Sequence, residues 1–173
     1  DTPGYPDFVG ELESGLAGAE AVLITVSAVA GVEAGTEMAW TQAERLGVRT
    51  RLFVVTHLDA ENADFDRTLQ ALRDRFGAGV VPVAIPIGST GDLRGYVDLV
   101  TMKAMTASAD FGAPNAGPIP PDVAAVAGEY RDRLLEAVAE TDDALLEHYL
   151  ESGELSEEEI RCGLRAAVLG RKV

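Results

Sequence analysis

Three short apolar runs, separated by stretches of helical period, constrain this chain more than any other feature of it. Residues 21–26 read Ala-Val-Leu-Ile-Thr-Val, residues 51–56 read Arg-Leu-Phe-Val-Val-Thr, and residues 80–85 read Val-Val-Pro-Val-Ala-Ile. Both alternating sets of positions in each run are largely apolar, which predicts strands buried on two faces. Between the first two runs, residues 36–46 form a candidate helix, with Thr36 as its N-cap and Gly47 past its end to take the left-handed C′ conformation. Residues 63–76 form another, with Phe65, Leu69, Leu72 and Phe76 at helical spacing and Gly77 behind them. A third helical stretch, residues 7–16, follows the N-terminal Asp1-Thr2-Pro3-Gly4. Strands alternating with helices imply a parallel α/β sheet built from right-handed crossovers. In such a sheet, ligands sit beyond the carboxyl ends of the strands.

The pattern changes after Val80. Pro82, Pro86, Gly88, Gly91 and Gly95 punctuate short β-like pieces, the clearest being residues 95–100, so residues 79–106 read as hairpins and not as another strand-helix unit. Residues 107–121, rich in Ala, Gly and Pro, read as a linker. Three acidic helices are expected next. The first spans about residues 122–139, with Val123, Val126, Tyr130, Leu134 and Val138 along one stripe; the second spans about 141–150 and ends near Gly153. The third runs to about residue 169 and opens on Ser156-Glu157-Glu158-Glu159, whose Ser and Glu three apart form a capping box. No internal repeat is visible.

Composition narrows the function classes. A chain of 173 residues that is 47% hydrophobic fits one compact domain or a small pair. No run approaches the ~20 apolar residues that span a bilayer, and the N-terminus lacks the basic and apolar regions of a signal peptide, so a cytoplasmic location is expected. Cys162 is the only cysteine, and His57 and His148 are far apart, which argues against a soft-ligand metal site. A net charge of −15 argues against nonspecific coating of DNA or other nucleic acid, because phosphate neutralisation needs surplus Lys and Arg, and leaves open docking on RNA through a local basic patch. The termini, Asp1 and Gly170-Arg171-Lys172-Val173, look like the edges of a window from a longer chain.

Two short segments carry chemistry. In Asp1-Thr2-Pro3-Gly4, an Asp at a strand end can hold hydrated Mg²⁺, and a glycine lets a backbone N–H approach a terminal phosphate. In Thr56-His57-Leu58-Asp59, at the end of an apolar strand, the Asp carboxylate can accept from the N1–H and the exocyclic amine of guanine, a pair of donors adenine lacks. Taken singly, the first segment reads equally as a turn and the second as a helix cap or solvated loop. Trp40 reads as core, Cys162 as an inert helical cysteine, and His148 as a solvent-facing or capping residue between acidic neighbours.

Order and spacing join these pieces. Asp1-Thr2-Pro3-Gly4-Tyr5-Pro6-Asp7-Phe8, Ala30-Gly31-Val32-Glu33-Ala34-Gly35-Thr36-Glu37 with Trp40, Ala63-Asp64-Phe65, Gly95-Tyr96-Val97-Asp98-Leu99 with Met102-Lys103-Ala104, and Leu145-Leu146-Glu147-His148-Tyr149-Leu150 together resemble translation elongation factor G, most closely its divergent paralogue group. The resemblance implies a partial Ras-like GTPase core in residues 1–78, a parallel sheet with flanking helices, followed by an inserted α+β subdomain in residues 79–173. It implies GTP or GDP with Mg²⁺ as ligands. By the same resemblance, Asp1 matches the magnesium-side aspartate, Gly4 the γ-phosphate sensor and Asp59 the guanine reader, with Thr56 and His57 beside the base.

Three substitutions depart from the family pattern. Tyr5 stands where the family has the histidine that positions the attacking water, Thr56 stands for its asparagine, and His57 for its lysine. No GxxxxGK[ST] phosphate loop occurs in the chain. The resemblance places that loop and the first switch upstream of Asp1, so the window alone is expected to be inactive. Expected partners are the ribosome and, through the acidic insert, the ribosomal stalk protein. Between Asp122 and Cys162 there are 13 acidic residues against three arginines, and Asp142, Asp143, Glu147 and Glu151 are the candidate contacts. Two functions follow: a GTPase acting on the ribosome, or a nonenzymatic ribosome-binding module that has lost turnover.

Overall fold

Two of the three apolar runs pair as parallel strands, β1 (Ala21–Ser27) and β2 (Thr50–Thr56), in a computed structural model that describes residues 1–107 and 113–170. Their register sets Ala21 opposite Thr50 and Ser27 opposite Thr56. The expectation that these strands are covered on both faces fails. Ile24 and Val26 are buried, but Leu23 is 65% exposed and its cross-strand neighbour Leu52 is 47% exposed. The reason is that the connecting helices gather on one side. Trp40 of α2 (Ala34–Arg45) stacks on Phe53 of β2 at 5.4 Å, and Phe76 of α3 (Phe65–Phe76) meets the two rings at 4.8 and 5.0 Å. Phe53 shares its face with Ile24, so both helices lie there. The Arg51 guanidinium covers the Trp40 ring at 3.9 Å, which makes Trp40 part of the packed layer, as expected.

Local capping sets the helix boundaries. Residues Pro6–Phe8 form a 3₁₀ turn, so the first helix, α1 (Val9–Ala17), starts later than residue 7. Its Leu12 and Leu16 pack with Ala43 and Val48 into a small core. The N-cap of α2 is Glu33 and not Thr36, which sits one turn inside and accepts from the Glu33 N–H at 3.3 Å. Gly47 does take positive φ, at 77°. The N-cap of α3 is Asp64, whose carboxylate accepts from the Arg67 N–H at 2.9 Å.

The third apolar run is not a parallel strand. Residues 80–83 belong to no strand, Pro82 having no N–H to give a ladder, and β3 (Ala84–Ile87) runs antiparallel to β4 (Gly95–Asp98). With β5 (Lys103–Thr106) and β6 (Asn115–Gly117) they form a four-stranded sheet in the order β3-β4-β5-β6. The hairpin reading therefore holds, while the expected linker gives up residues 115–117 to β6. Part of that linker, residues 108–112, lies outside the described residues, as do residues 171–173.

Three helices close the chain: α4 (Pro121–Ala139), α5 (Asp143–Ser152) and α6 (Glu157–Gly170). Ile85, Ile87 and Val97 from the antiparallel sheet, and Leu99 just past β4, share a core with Leu134, Leu135 and Val138 of α4 and Ile160 of α6. The stripe on α4 is Val123, Ala127, Tyr130, Leu134 and Val138; Val126, which three-and-four spacing also admits, is exposed, and Ala127 is buried in its stead. Asp142 caps α5, which starts two residues later than expected, and Gly153 follows it at φ 75°. The expected capping box opens α6: the Glu159 carboxylate accepts from the Ser156 N–H at 2.8 Å, and the Ser156 hydroxyl oxygen accepts from the Glu159 N–H at 3.3 Å. Phe65 and Tyr130 meet edge to face at 6.5 Å, and the Tyr130 hydroxyl donates to Asp66, so α3 and α4 are joined. Burial and then the Asp66 carboxylate push the Tyr130 hydroxyl up to about 12. Among the described residues no helix is long and apolar enough to cross a membrane.

Candidate functional site

Parallel strands end at one edge, and there the backbone stitches two loops together. The Ala28 N–H donates to the Thr56 carbonyl at 2.8 Å, and the Asp64 N–H donates to the Ala28 carbonyl at 3.0 Å. Arg67, one turn into α3, reaches back across both loops. Its guanidinium donates to the carbonyls of Val29 at 3.1 Å and of Ala28 and Asn62 at 3.4 Å. From the antiparallel sheet's side, the Thr90 N–H donates to the Leu58 carbonyl at 2.9 Å. The loop from His57 to Asp64 is thus held largely through its main chain.

His57 and Asn62 on this loop carry φ angles of 57° and 65°, and Thr90, which bonds to it, and Met102, between β4 and β5, both carry 51°, a left-handed conformation that costs non-glycine residues about 1 kcal/mol or more. The Thr56 hydroxyl turns back into the strand pair, 3.4 Å from the Val26 carbonyl, and the His57 Nδ1 lies 3.1 Å from that hydroxyl. Asp59 is exposed, and among the described residues its carboxylate has no hydrogen bond or ion pair. A free carboxylate on a loop whose main chain is braced offers two acceptor oxygens, which suits a ligand edge carrying two adjacent donors.

The Asp1–Gly4 segment comes to the first turn of α2, which itself starts from the loop after β1, so both sequence segments lie at the carboxyl-end side of the strands. A Cβ placed on Gly35 would lie 2.8 Å from the Gly4 carbonyl oxygen, a measure of how closely the two backbones approach. The Gly4 N–H makes no hydrogen bond among the described residues, so it is available to an oxygen ligand. Tyr5 precedes the 3₁₀ turn and is 74% exposed. Asp1 is exposed and supplies one hard carboxylate; among the described residues no group of three or more His, Cys, Asp or Glu side chains could hold a metal ion. One carboxylate suits a Mg²⁺ that keeps most of its waters, and cannot cage a bare ion.

The candidate partner-binding residues lie on a separate face. Asp143, Glu147 and Glu151 are exposed along α5, while the exposed Asp142 spends its carboxylate accepting from the N–H groups of Ala144 and Leu145 at 3.0 and 3.4 Å. Leu146 and Leu150 are exposed among them, Leu150 at 75%. Beside this face a groove of about 320 Å³ opens between α5 and α6, with Leu145, Glu159 and the exposed Cys162 in its lining. His148 pairs through Nδ1 with Glu159 Oε1 at 2.8 Å. The Ser156 hydroxyl and N–H, and after them His148, hold the Glu159 carboxyl below its ordinary range.

Sequence reasoning missed the bracing residues Arg67 and Thr90. The signal for Arg67 was its place one turn after Asp64, where a long cationic side chain can fold back on loop carbonyls. Nothing local marked Thr90, whose contact spans the distance between two sheets.

A family model described as the elongation factor Tu GTP-binding domain matches residues 1–167. A crystal structure of a protein from Thermus thermophilus superposes with a TM-score of 0.84 at 40% sequence identity, over 97% of this chain and 25% of that one. The chain therefore spans a quarter of that protein's length.

Proposed function

Because the chain belongs to the family of elongation factor Tu GTP-binding domains, we propose that it forms the base-reading and γ-phosphate-sensing half of the GTP site in an elongation factor G-like ribosomal GTPase. The observation that carries the proposal is the Asp59 carboxylate, unpartnered among the described residues on a loop braced by Arg67 and Thr90 at the carboxyl end of a parallel strand pair. That carboxylate accepts from the guanine N1–H and exocyclic amine, and the His57 ring beside it lies against the base. Gly4 would offer its N–H to the γ-phosphate, and Asp1 would hold the Mg²⁺ through water. When bound, the ion neutralises phosphate charge that builds as the terminal phosphoryl group is transferred.

The β-phosphate needs a cradle of backbone amides and a lysine, for which this chain has no motif. We therefore assign the cradle to another part of a longer protein, with residues 1–78 as core and residues 79–173 as an insert. The free N–H of Gly4 and the free carboxylate of Asp59 are what such a division of labour requires. The acidic face of α5, with Asp143, Glu147 and Glu151 around Leu146 and Leu150, is proposed to meet the ribosomal stalk protein; Asp142 contributes charge there while capping the helix. A second reading, a ribosome-binding module without turnover, is favoured by the exposed phenol of Tyr5, which stands where the resemblance implies a water-positioning histidine.

The test is a nucleotide swap in the full-length protein. Asp59→Asn replaces an acceptor with a donor, so it should weaken GTP and favour xanthosine triphosphate, whose 2-oxo group accepts from the new amide. A site left with an unpaired buried partner discriminates by as much as ~10⁴-fold. Unchanged GTP affinity with no gain for xanthosine triphosphate reduces Asp59 to a loop residue.

A further inference from the structure

Two glycines seat the Asp1–Gly4 segment, and they seat it unequally. A Cβ on Gly35, in the first turn of α2, would lie 2.8 Å from the Gly4 carbonyl oxygen, a backbone atom. A Cβ on Gly15 of α1 would lie 3.0 Å from the Thr2 γ-methyl carbon, the end of a side chain that can turn. The helical glycine Gly128 of α4 has nothing within 4 Å of the same position. Glycine is the weaker helix former at all three places, so space, and not helix stability, separates them.

We propose that Gly35 is a positioning residue: by leaving room for the Gly4 carbonyl against the first turn of α2, it sets how readily the Gly4 peptide responds to the γ-phosphate of a bound guanine nucleotide. The inference rests on the assignment of Gly4 as the phosphate sensor and deepens it. A carbonyl oxygen is favoured at a helix N-terminus, where the dipole is positive. A methyl group at residue 35 displaces that oxygen, and no rotation of a side chain relieves the contact, so the whole peptide must move. A displacement felt in one arrangement of the segment and not in the other shifts the balance between them. Gly15 acts on the same segment through Thr2, with a smaller effect because the threonine can give way.

The experiment compares equilibrium affinities for GTP and GDP in the full-length protein. Gly35→Ala is expected to move the GTP-to-GDP affinity ratio by about fivefold or more, the lower end of ordinary coupling between states. Gly15→Ala should move it less, and Thr2→Ser, which deletes the offending methyl, should restore the Gly15→Ala ratio. Gly128→Ala should leave the ratio within about twofold, as distant independent sites do. If Gly35→Ala does not fold, the Gly15→Ala and Thr2→Ser pair carries the test alone. A ratio unmoved by Gly35→Ala, or equal loss of both nucleotides, overturns the inference while leaving the site assignment standing. A wild-type protein that binds neither nucleotide defeats the site assignment itself, and this inference with it.

Discussion

Replacing Gly163 with alanine sets two known effects against each other in the same helix. Alanine is the better helix former by about 1 kcal/mol, which alone predicts a more stable protein. The structure opposes this, because a Cβ on Gly163 would sit 2.5 Å from Val138 Cγ1 and 3.1 Å from Leu145 Cδ1. Val138 is fully buried, and a β-branched side chain in a helix has one strongly preferred rotamer, so it cannot swing away. Overpacking of this kind costs roughly 1–3 kcal/mol. The net expectation is a loss of about 1 kcal/mol, or roughly 2–4 °C in Tm for a chain of this size. Gly128→Ala, with open space around it, should instead gain up to about 1 kcal/mol. Urea unfolding of both variants reads the difference, and Val138→Ala in the Gly163→Ala background should recover about 1–2 kcal/mol as a coupling energy. Equal stabilisation by the two alanines, or no coupling to Val138, would refute the close crossing of α4 and α6.

The acid limb of stability offers a second test. Glu159 is held below its ordinary pKa of 4.5, chiefly by the Ser156 hydroxyl. A carboxyl depressed in the folded state stabilises the fold above its unfolded value and loses that contribution as pH falls through the folded one. Unfolding measured from pH 4.5 downward should therefore fall less steeply for Glu159→Gln than for wild type; parallel curves contradict the cap. On the proposed function, Tyr5→His in the full-length protein should raise ribosome-stimulated turnover by on the order of 10² without a matching change in GTP affinity, because the role proposed for that position is on the attacking water. Equal single-turnover rates place Tyr5 away from the chemistry. Replacing Asp142, Asp143, Glu147 and Glu151 with Gln should slow association with the stalk protein and flatten its salt dependence, while a salt-independent on-rate in wild type removes the docking role.

The legible part of the fold was whatever local chemistry dictates. The runs at 21–26 and 51–56, the terminal glycines at 47 and 153, and the Ser156–Glu159 box each declare themselves within a few residues, and each occurs in the structure. What escaped depended on tertiary partners. Leu23 and Leu52 are as apolar as Ile24 and Phe53, and only the placement of α2 and α3 on one face decides which pair is exposed. Thr36 looks like a cap, but Glu33 can use it as the inner half of a reciprocal pair, which moves the helix start back to Ala34. At the candidate site, Asp59 and Gly4 were visible as residue types in motifs. The availability of Asp59 was not, because Arg67 and Thr90 hold the main chain of its loop through the Asn62 and Leu58 carbonyls, contacts that no local pattern announces.

The most direct measurement is a crystal structure of the full-length protein with GDP bound. The account predicts that both Asp59 carboxylate oxygens lie within about 3 Å of the guanine, one accepting from N1–H and the other from the exocyclic amine, with Arg67 still bonded to the Val29 carbonyl behind them. A guanine edge bound by any other residue, with Asp59 left in solvent, would contradict the reading of this loop as the base-recognition element.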